Sequence, residues 1–158
     1  RAIDLGCGTG LAGELFRKNC DYLAGVDLSD KMLDVARAKN LYNELICADL
    51  VSSLEQAGED FDLLISADVF IYVGELSSLA AAIGQRSAPG SLLLFSTEHC
   101  EGEEFELRDS GRFAHSRPYI LKTFEREGFE LLKDATRNLR KDQNEWLSGG
   151  YYLFRRGA

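Results

Sequence analysis

Apolar residues along the chain follow two rhythms in turn. Ala2–Leu5 ("AIDL") is a short apolar run that ends in a cluster of glycines. Leu11, Leu15 and Phe16 then recur at helical spacing, with Arg17 and Lys18 where the helix dipole favours cations. Residues 22–27 read as a second strand. Ser29 is placed to cap a helix that runs to about Lys39, with Met32, Leu33 and Ala36 inward. Residues 44–48 give a third short strand. Phe61–Ser66 ("FDLLIS") has the unbroken apolar character of a parallel strand buried on both faces. Leu76, Leu79, Ala80 and Ile83 mark a helix that "APG" at 88–90 breaks, and 91–96 ("SLLLFS") is the next buried strand. The acid-rich stretch 98–111 reads as a loop. Ile120, Leu121 and Phe124 mark a last helix, ended by Gly128. Residues 129–139 and 146–155 pair as an antiparallel hairpin turned by "RKDQN" at 140–144, with Trp146, Tyr151 and Tyr152 in its core.

Alternating strands and helices predict an α/β fold, a doubly wound and mostly parallel sheet covered on both faces. The length suits one domain over residues 1–158. Such sheets bind ligands at the carboxyl ends of their strands, where the glycine cluster lies.

Composition narrows the function. The net charge of −8 repels phosphate backbones, so no nucleic-acid partner is expected. Cys7, Cys20, Cys47 and Cys100 form no C-x-x-C pair, which argues against a metal site and a disulfide scaffold. No run is long enough to span a membrane and no export signal is visible, so a cytoplasmic protein with no membrane partner is expected. The chain opens on Arg1 rather than Met, and the native protein is expected to continue N-terminally.

The glycines at 6, 8 and 10 leave two cofactor classes open. A dinucleotide site wants a small residue where Leu11 stands, and Gly13 does not restore the fingerprint. Asp27 closes the second strand 19 residues after Gly8, and a carboxylate there accepts hydrogen bonds from both hydroxyls of a ribose. That identifies a ribose without saying whose. Leu28 and Met32 follow and either pack on a base or fill helix core. Asp49 follows the third strand, and on its own it could be an exposed loop acid.

The stretch "DLGCGTG" (Asp4, Gly6, Gly8, Gly10) resembles motif I of the class I S-adenosylmethionine-dependent methyltransferases. The resemblance implies a Rossmann-like seven-strand sheet with an antiparallel last strand. It implies S-adenosyl-L-methionine as cofactor and S-adenosyl-L-homocysteine as product. Asp4, Gly6, Cys7, Gly8 and Gly10 would surround the methionine part and Asp27 the ribose. Asp49 would meet the adenine amino group, with Leu28, Met32, Ala48 and Leu50 lining the base pocket. Ser66 and Ala67 would lie at the cofactor from the fourth strand. Subclass marks are missing: "SADVF" at 66–70 stands where an N-P-P-Y tetrapeptide would be, and there is no Pro-Cys nucleophile or double-glutamate hairpin. Two further stretches, "SADVFIYVGEL" (66–76) and "SGRFAHSRPYI" (110–120), resemble a bacterial group of methyltransferases associated with tetratricopeptide repeats. That makes an N-terminal repeat region an expected partner.

The methyl acceptor is expected to be a small molecule or a protein. Candidate catalytic residues are Asp68, Tyr72 and His115. Asp68 could instead be a helix N-terminal acid, Tyr72 could simply pack, and His115 could pin a loop to a helix start. Glu98, His99 and Arg112 also fall near the expected site. Two other functions compete. One is a non-catalytic module that binds S-adenosylmethionine and recognises a partner. The other is an NAD(P)-dependent oxidoreductase, disfavoured by Leu11 and by the lack of a tyrosine–lysine hydride-transfer pair.

Overall fold

In the computed structural model, residues 1–142 and 145–158 are described. The first half keeps the expected rhythm: β1 (Ala2–Leu5), α1 (Leu11–Phe16), β2 (Leu23–Asp27), α2 (Asp30–Ala38), β3 (Glu44–Cys47) and β4 (Phe61–Ser66). Ser29 caps α2 by accepting the Met32 N–H. One helix was not marked in the pattern, α3 (Leu50–Gln56), which Asp49 caps. Seven residues are too few to show a helical period.

After α4 (Ser77–Gln85), β5 runs from Ser87 to Cys100. The "APG" segment interrupts it as a bulge rather than ending it. Ser87 pairs with Phe61 and Leu92 with Leu63, and Gly90 takes φ 82°. The acid-rich stretch holds β6 (Phe105–Leu107), and β7 (Phe113–Ser116) follows it. Neither "FEL" nor "FAHS" carries an apolar run or alternation long enough to mark it, and the two strands form by pairing with each other and, for β7, with β5. The chain closes with α5 (Arg117–Arg126), β8 (Phe129–Asp142) and β9 (Glu145–Arg156). The tip of the expected "RKDQN" turn, residues 143 and 144, lies outside the described residues.

The sheet has nine strands where seven were expected, parallel through β3-β2-β1-β4-β5 and antiparallel at β8 and β9. β5 has β4 on one side and antiparallel β9 on the other along Leu92–Phe95. Further on, Glu98 pairs with Gly149 of β9 and also with Ala114 of β7. A strand has only two sides, so β7 lies on the side of β4. β4 stops at Ser66 opposite Phe95, and β7 takes up the same lane a few residues later. The β6–β7 hairpin therefore stands on the carboxyl end of β4.

The main core lies on one sheet face. Ile3, Leu5, Ala24, Val26, Leu64, Leu93 and Phe95 pack there against Leu54, Leu79, Ile83, Ile120 and Phe124 of α3, α4 and α5. Phe95 centres an aromatic cluster, with ring centroids 4.6 Å from Phe70, 5.0 Å from Phe124 and 5.2 Å from Tyr152. Tyr152 joins this core as expected, whereas Trp146 stays exposed near the hairpin end. On the opposite face, Leu33 and Ala36 of α2 are buried, while Leu11 and Leu15 point outward from a helix of fewer than two turns.

Candidate active site

The glycine loop joins β1 to α1 through three left-handed residues, Gly6 at φ 77°, Gly8 at 52° and Gly10 at 86°. The N–H groups of Gly6 and Cys7 both donate to the Val26 carbonyl, at 2.8 and 2.9 Å. The Gly8 N–H donates to Oδ2 of Asp27 at 2.9 Å, and Oδ1 of Asp27 accepts the Ser29 N–H at 2.8 Å. The loop and the acid that closes β2 are thus one bonded unit. The three glycines serve different needs. A Cβ on Gly6 would overlap the Val69 side chain, and one on Gly10 would come within 3.1 Å of Tyr42. A Cβ on Gly8 would meet only the Met32 sulfur at 3.8 Å, so the open side of the loop is at Gly8.

Asp4 was expected at the cofactor, but the structure places it beneath the loop, buried, where the Tyr42 hydroxyl donates to its Oδ2 at 2.7 Å. Burial pushes its pKa up to about 6, against the Tyr42 bond, which lowers it. Tyr42 was missed in the sequence. A Cβ on Gly10, Gly13 or Gly25 would crowd its ring, so the chain keeps three glycines around one tyrosine. Gly13 is thereby explained by packing and not by a displaced dinucleotide fingerprint. Cys7 packs in the loop, and burial pushes its thiol up to about 12, which leaves it no nucleophilic character at neutral pH.

The base side is open. Leu28 and Met32 are exposed, at 73% and 48%, beside the loop. Ala48 and Leu50 are half-buried on either side of Asp49. Asp49 is exposed and caps α3, with both N–H groups, from Val51 and Ser52, falling on Oδ1 at 3.0 and 3.2 Å. The cap leaves the second carboxylate oxygen to another donor.

At the end of β4, Ser66 is buried and donates its hydroxyl to the Leu5 carbonyl at 3.0 Å, which ties β4 to the start of the glycine loop. Ala67 is exposed. Asp68 takes φ 59°, a left-handed conformation costly for a residue with a Cβ, and its N–H donates to the Ser96 hydroxyl at 2.9 Å. Val69 then packs over Gly6. Tyr72 sits on a short 3₁₀ turn, 65% exposed.

His115 departs from its expected catalytic role. It is fully buried in β7, with Nε2 at 2.9 and 3.0 Å from the carbonyls of Val73 and Gly74 and Nδ1 at 2.7 Å from the Thr97 hydroxyl. Two carbonyls can only accept, so Nε2 carries the proton and Nδ1 accepts from Thr97. Both nitrogens are occupied, and burial lowers the pKa, so the ring has no lone pair to offer a substrate. The Tyr119 hydroxyl accepts the Leu76 N–H at 2.8 Å beside it. Together the two side chains clasp the segment between Tyr72 and α4. Glu98 is buried, with the Arg108 guanidinium 3.6 Å from its carboxylate. His99 pairs with Glu101 at 3.4 Å, and Arg112 directly precedes β7 at the hairpin turn.

The structure thus gathers Gly6, Gly8, Gly10, Asp27, Leu28, Met32, Ser66, Ala67 and Asp68 around the carboxyl ends of β1, β2 and β4. Asp4 and His115 lie behind that surface. Two cavities, of about 310 and 280 Å³, flank β3, and neither is lined by Gly8, Asp27 or Asp68. Among the described residues, no group of three or more His, Cys, Asp or Glu is arranged to hold a metal. No helix is long and apolar enough to cross a membrane.

This donor and acceptor set fits S-adenosylmethionine. Half-buried Asp27 and exposed Asp49 and Asp68 suit a ribose, an adenine amino group and a cationic methionine end, and the open side of Gly8 admits close approach.

Comparison with known proteins agrees. Residues 3–95 match the family model described as a methyltransferase domain. The ubiquinone biosynthesis O-methyltransferase of Thiobacillus denitrificans is 30% identical over 138 residues, 84% of this chain and 57% of that protein. A protein of the same name from Sinorhizobium fredii is 32% identical over 101 residues, 61% of this chain and 40% of that one. The chain spans about half the length of the curated relatives it matches. Among solved structures, magnesium protoporphyrin IX methyltransferase from Synechocystis, with bound S-adenosylmethionine, aligns at TM-score 0.74 and 19% identity, over 99% of this chain and 69% of that one. TehB from Haemophilus influenzae aligns at TM-score 0.77 and 17% identity, over 98% and 57%. With residues 3–95, more than half of its length, in the family match, the chain belongs to the methyltransferase domain family.

Proposed function

We propose that the whole protein transfers a methyl group from S-adenosylmethionine to an oxygen of a small-molecule acceptor. The observation that carries the cofactor half is the bond from the Gly8 N–H to Asp27, which holds the glycine loop and the ribose acid in one frame. Bound S-adenosylmethionine supplies a methyl group already activated on a sulfonium. What remains for the chain is alignment and exclusion of water. In this reading Asp27 takes the ribose hydroxyls, Asp49 the adenine amino group, and Leu28 and Met32 cover the base. Gly6, Cys7 and Gly8 border the methionine end, with Ser66, Ala67 and Asp68 on its other side. Tyr72, exposed after β4, orients the acceptor.

The oxygen acceptor draws its support from the relatives named O-methyltransferases. The likeness of residues 66–76 and 110–120 to the repeat-associated group supports a repeat region as partner-binding part of the whole protein, and a cytoplasmic location accords with it. The test is incubation of the full-length protein with methyl-labelled S-adenosylmethionine and a panel of catechols, phenols and carboxylic acids. Label in a methyl ether or ester supports the proposal. Label only in protein, or in none of the acceptors, overturns it.

A further inference from the structure

Asp68 and Ser96 form a unit that the cofactor motifs do not include. Asp68 turns the chain at the end of β4 with φ 59°, and among the described residues other than glycine only Asn40 shares a positive φ with it. Such a conformation costs on the order of 1–3 kcal/mol and persists where surroundings enforce it. What enforces it here is visible. Ser96 lies on β5, one residue past the point where Ser66 pairs with Phe95. Ser96 is buried, 6% exposed, and its hydroxyl accepts the Asp68 N–H at 2.9 Å. On the other flank, Ser66 bonds the Leu5 carbonyl and Val69 packs over Gly6. Residue 68 is thus fixed from both neighbouring strands, beside the first glycine of the loop. Asp68 itself remains exposed.

We propose that Ser96 is a positioning residue. By holding Asp68 in its left-handed turn, it sets the Asp68 carboxylate to receive the ammonium of the cofactor's amino-acid end. This rests on the reading of the site as an S-adenosylmethionine cradle. A strained turn kept by a buried hydroxyl is what a fixed anionic contact needs, because a carboxylate on a relaxed chain would lose the contact's orientation. Ser96 does not touch the cofactor and acts through Asp68 alone.

Two ligands separate this role from a merely structural one. S-adenosylhomocysteine carries the amino-acid end, and 5′-methylthioadenosine lacks it. Calorimetry of the wild-type protein should show both binding, S-adenosylhomocysteine more tightly. Ser96→Ala should lose about tenfold in S-adenosylhomocysteine affinity and stay within about twofold for 5′-methylthioadenosine, since one charged hydrogen bond is worth about a factor of ten. Asp68→Gly adopts positive φ without strain, so it keeps the fold independently of Ser96. It should lose the same selectivity, and adding Ser96→Ala to it should cost no further affinity. Unchanged selectivity in Ser96→Ala or in Asp68→Gly overturns the proposal, as does equal loss of both ligands in Ser96→Ala. If the wild-type protein binds neither ligand, it is the cofactor reading of the site that falls.

Discussion

The Tyr42 hydroxyl donates to the buried carboxylate of Asp4 at 2.7 Å, directly beneath the glycine loop. The two residues are 38 positions apart and belong to β1 and the connection before β3. Their bond makes the floor on which the loop rests, and it gives a pH signature. Burial raises the Asp4 pKa from 3.8 to about 6, so the folded protein holds this proton more tightly than the unfolded chain. The stability this confers is complete below pH 3.8 and is lost as pH rises through about 6. Asp4→Asn keeps an acceptor for Tyr42 and removes the buried charge. Denaturant titrations at pH 4 and pH 7 should show the variant more stable at pH 7 by on the order of 2–3 kcal/mol, with its advantage gone at pH 4.

Gly6 and Gly8 should part company on substitution. Gly6→Ala sets a Cβ into Val69 at φ 77° and should lower the melting temperature by several degrees. Gly8→Ala has room apart from the Met32 sulfur at 3.8 Å, so its fold should lose only the cost of a left-handed alanine, about 1 kcal/mol. Its S-adenosylhomocysteine affinity should nonetheless fall more than tenfold, because the added methyl stands on the ligand side. Thermal melts and calorimetry on the same two variants read both effects.

His115 should behave as a clasp. His115→Ala leaves the carbonyls of Val73 and Gly74 and the Thr97 hydroxyl without their partner in a buried setting, at a cost of about 1–3 kcal/mol for each unsatisfied group. Cofactor affinity should stay within about twofold, since β1, β2 and their loop are untouched. The pH dependence runs opposite to that of Asp4. A histidine with a lowered folded pKa contributes stability that is present above its ordinary value of 6.5 and is lost as pH falls through the folded value. Stability measured from pH 7 down to pH 5 should therefore fall less in His115→Ala than in the wild type.

The strands through β5, and the helices other than α3, were legible in the apolar pattern because each carries its own period or run. Gly6, Gly8, Gly10 and Asp27 were legible because a glycine loop after a strand and an acid closing the next strand are local signals. Asp4 was read one layer too high. The motif gives its place in the chain but not the inward turn of its side chain, which the strand's alternation and Tyr42 decide. His115 was read either as a catalytic residue or as a pin between a loop and a helix start, because a lone histidine near a substrate entrance allows both, and the structure shows the pin. The burial of His115 depends on the pairing of β7 with β5 and of β6 with β7, which no local pattern reveals. Tyr42 and Ser96 were missed for the same reason, as each acts on a residue from another strand.

Asp27 offers the most direct test of cofactor binding at this site. Titration of S-adenosylmethionine into the wild-type protein and into Asp27→Ala, by calorimetry at neutral pH, measures this most directly. Each hydrogen bond to the carboxylate is worth about 1.5–3 kcal/mol. The prediction is that the wild type binds and that the folded variant binds at least tenfold more weakly, about 1.4 kcal/mol. Equal affinity in the two proteins, or no binding by the wild type, would contradict it.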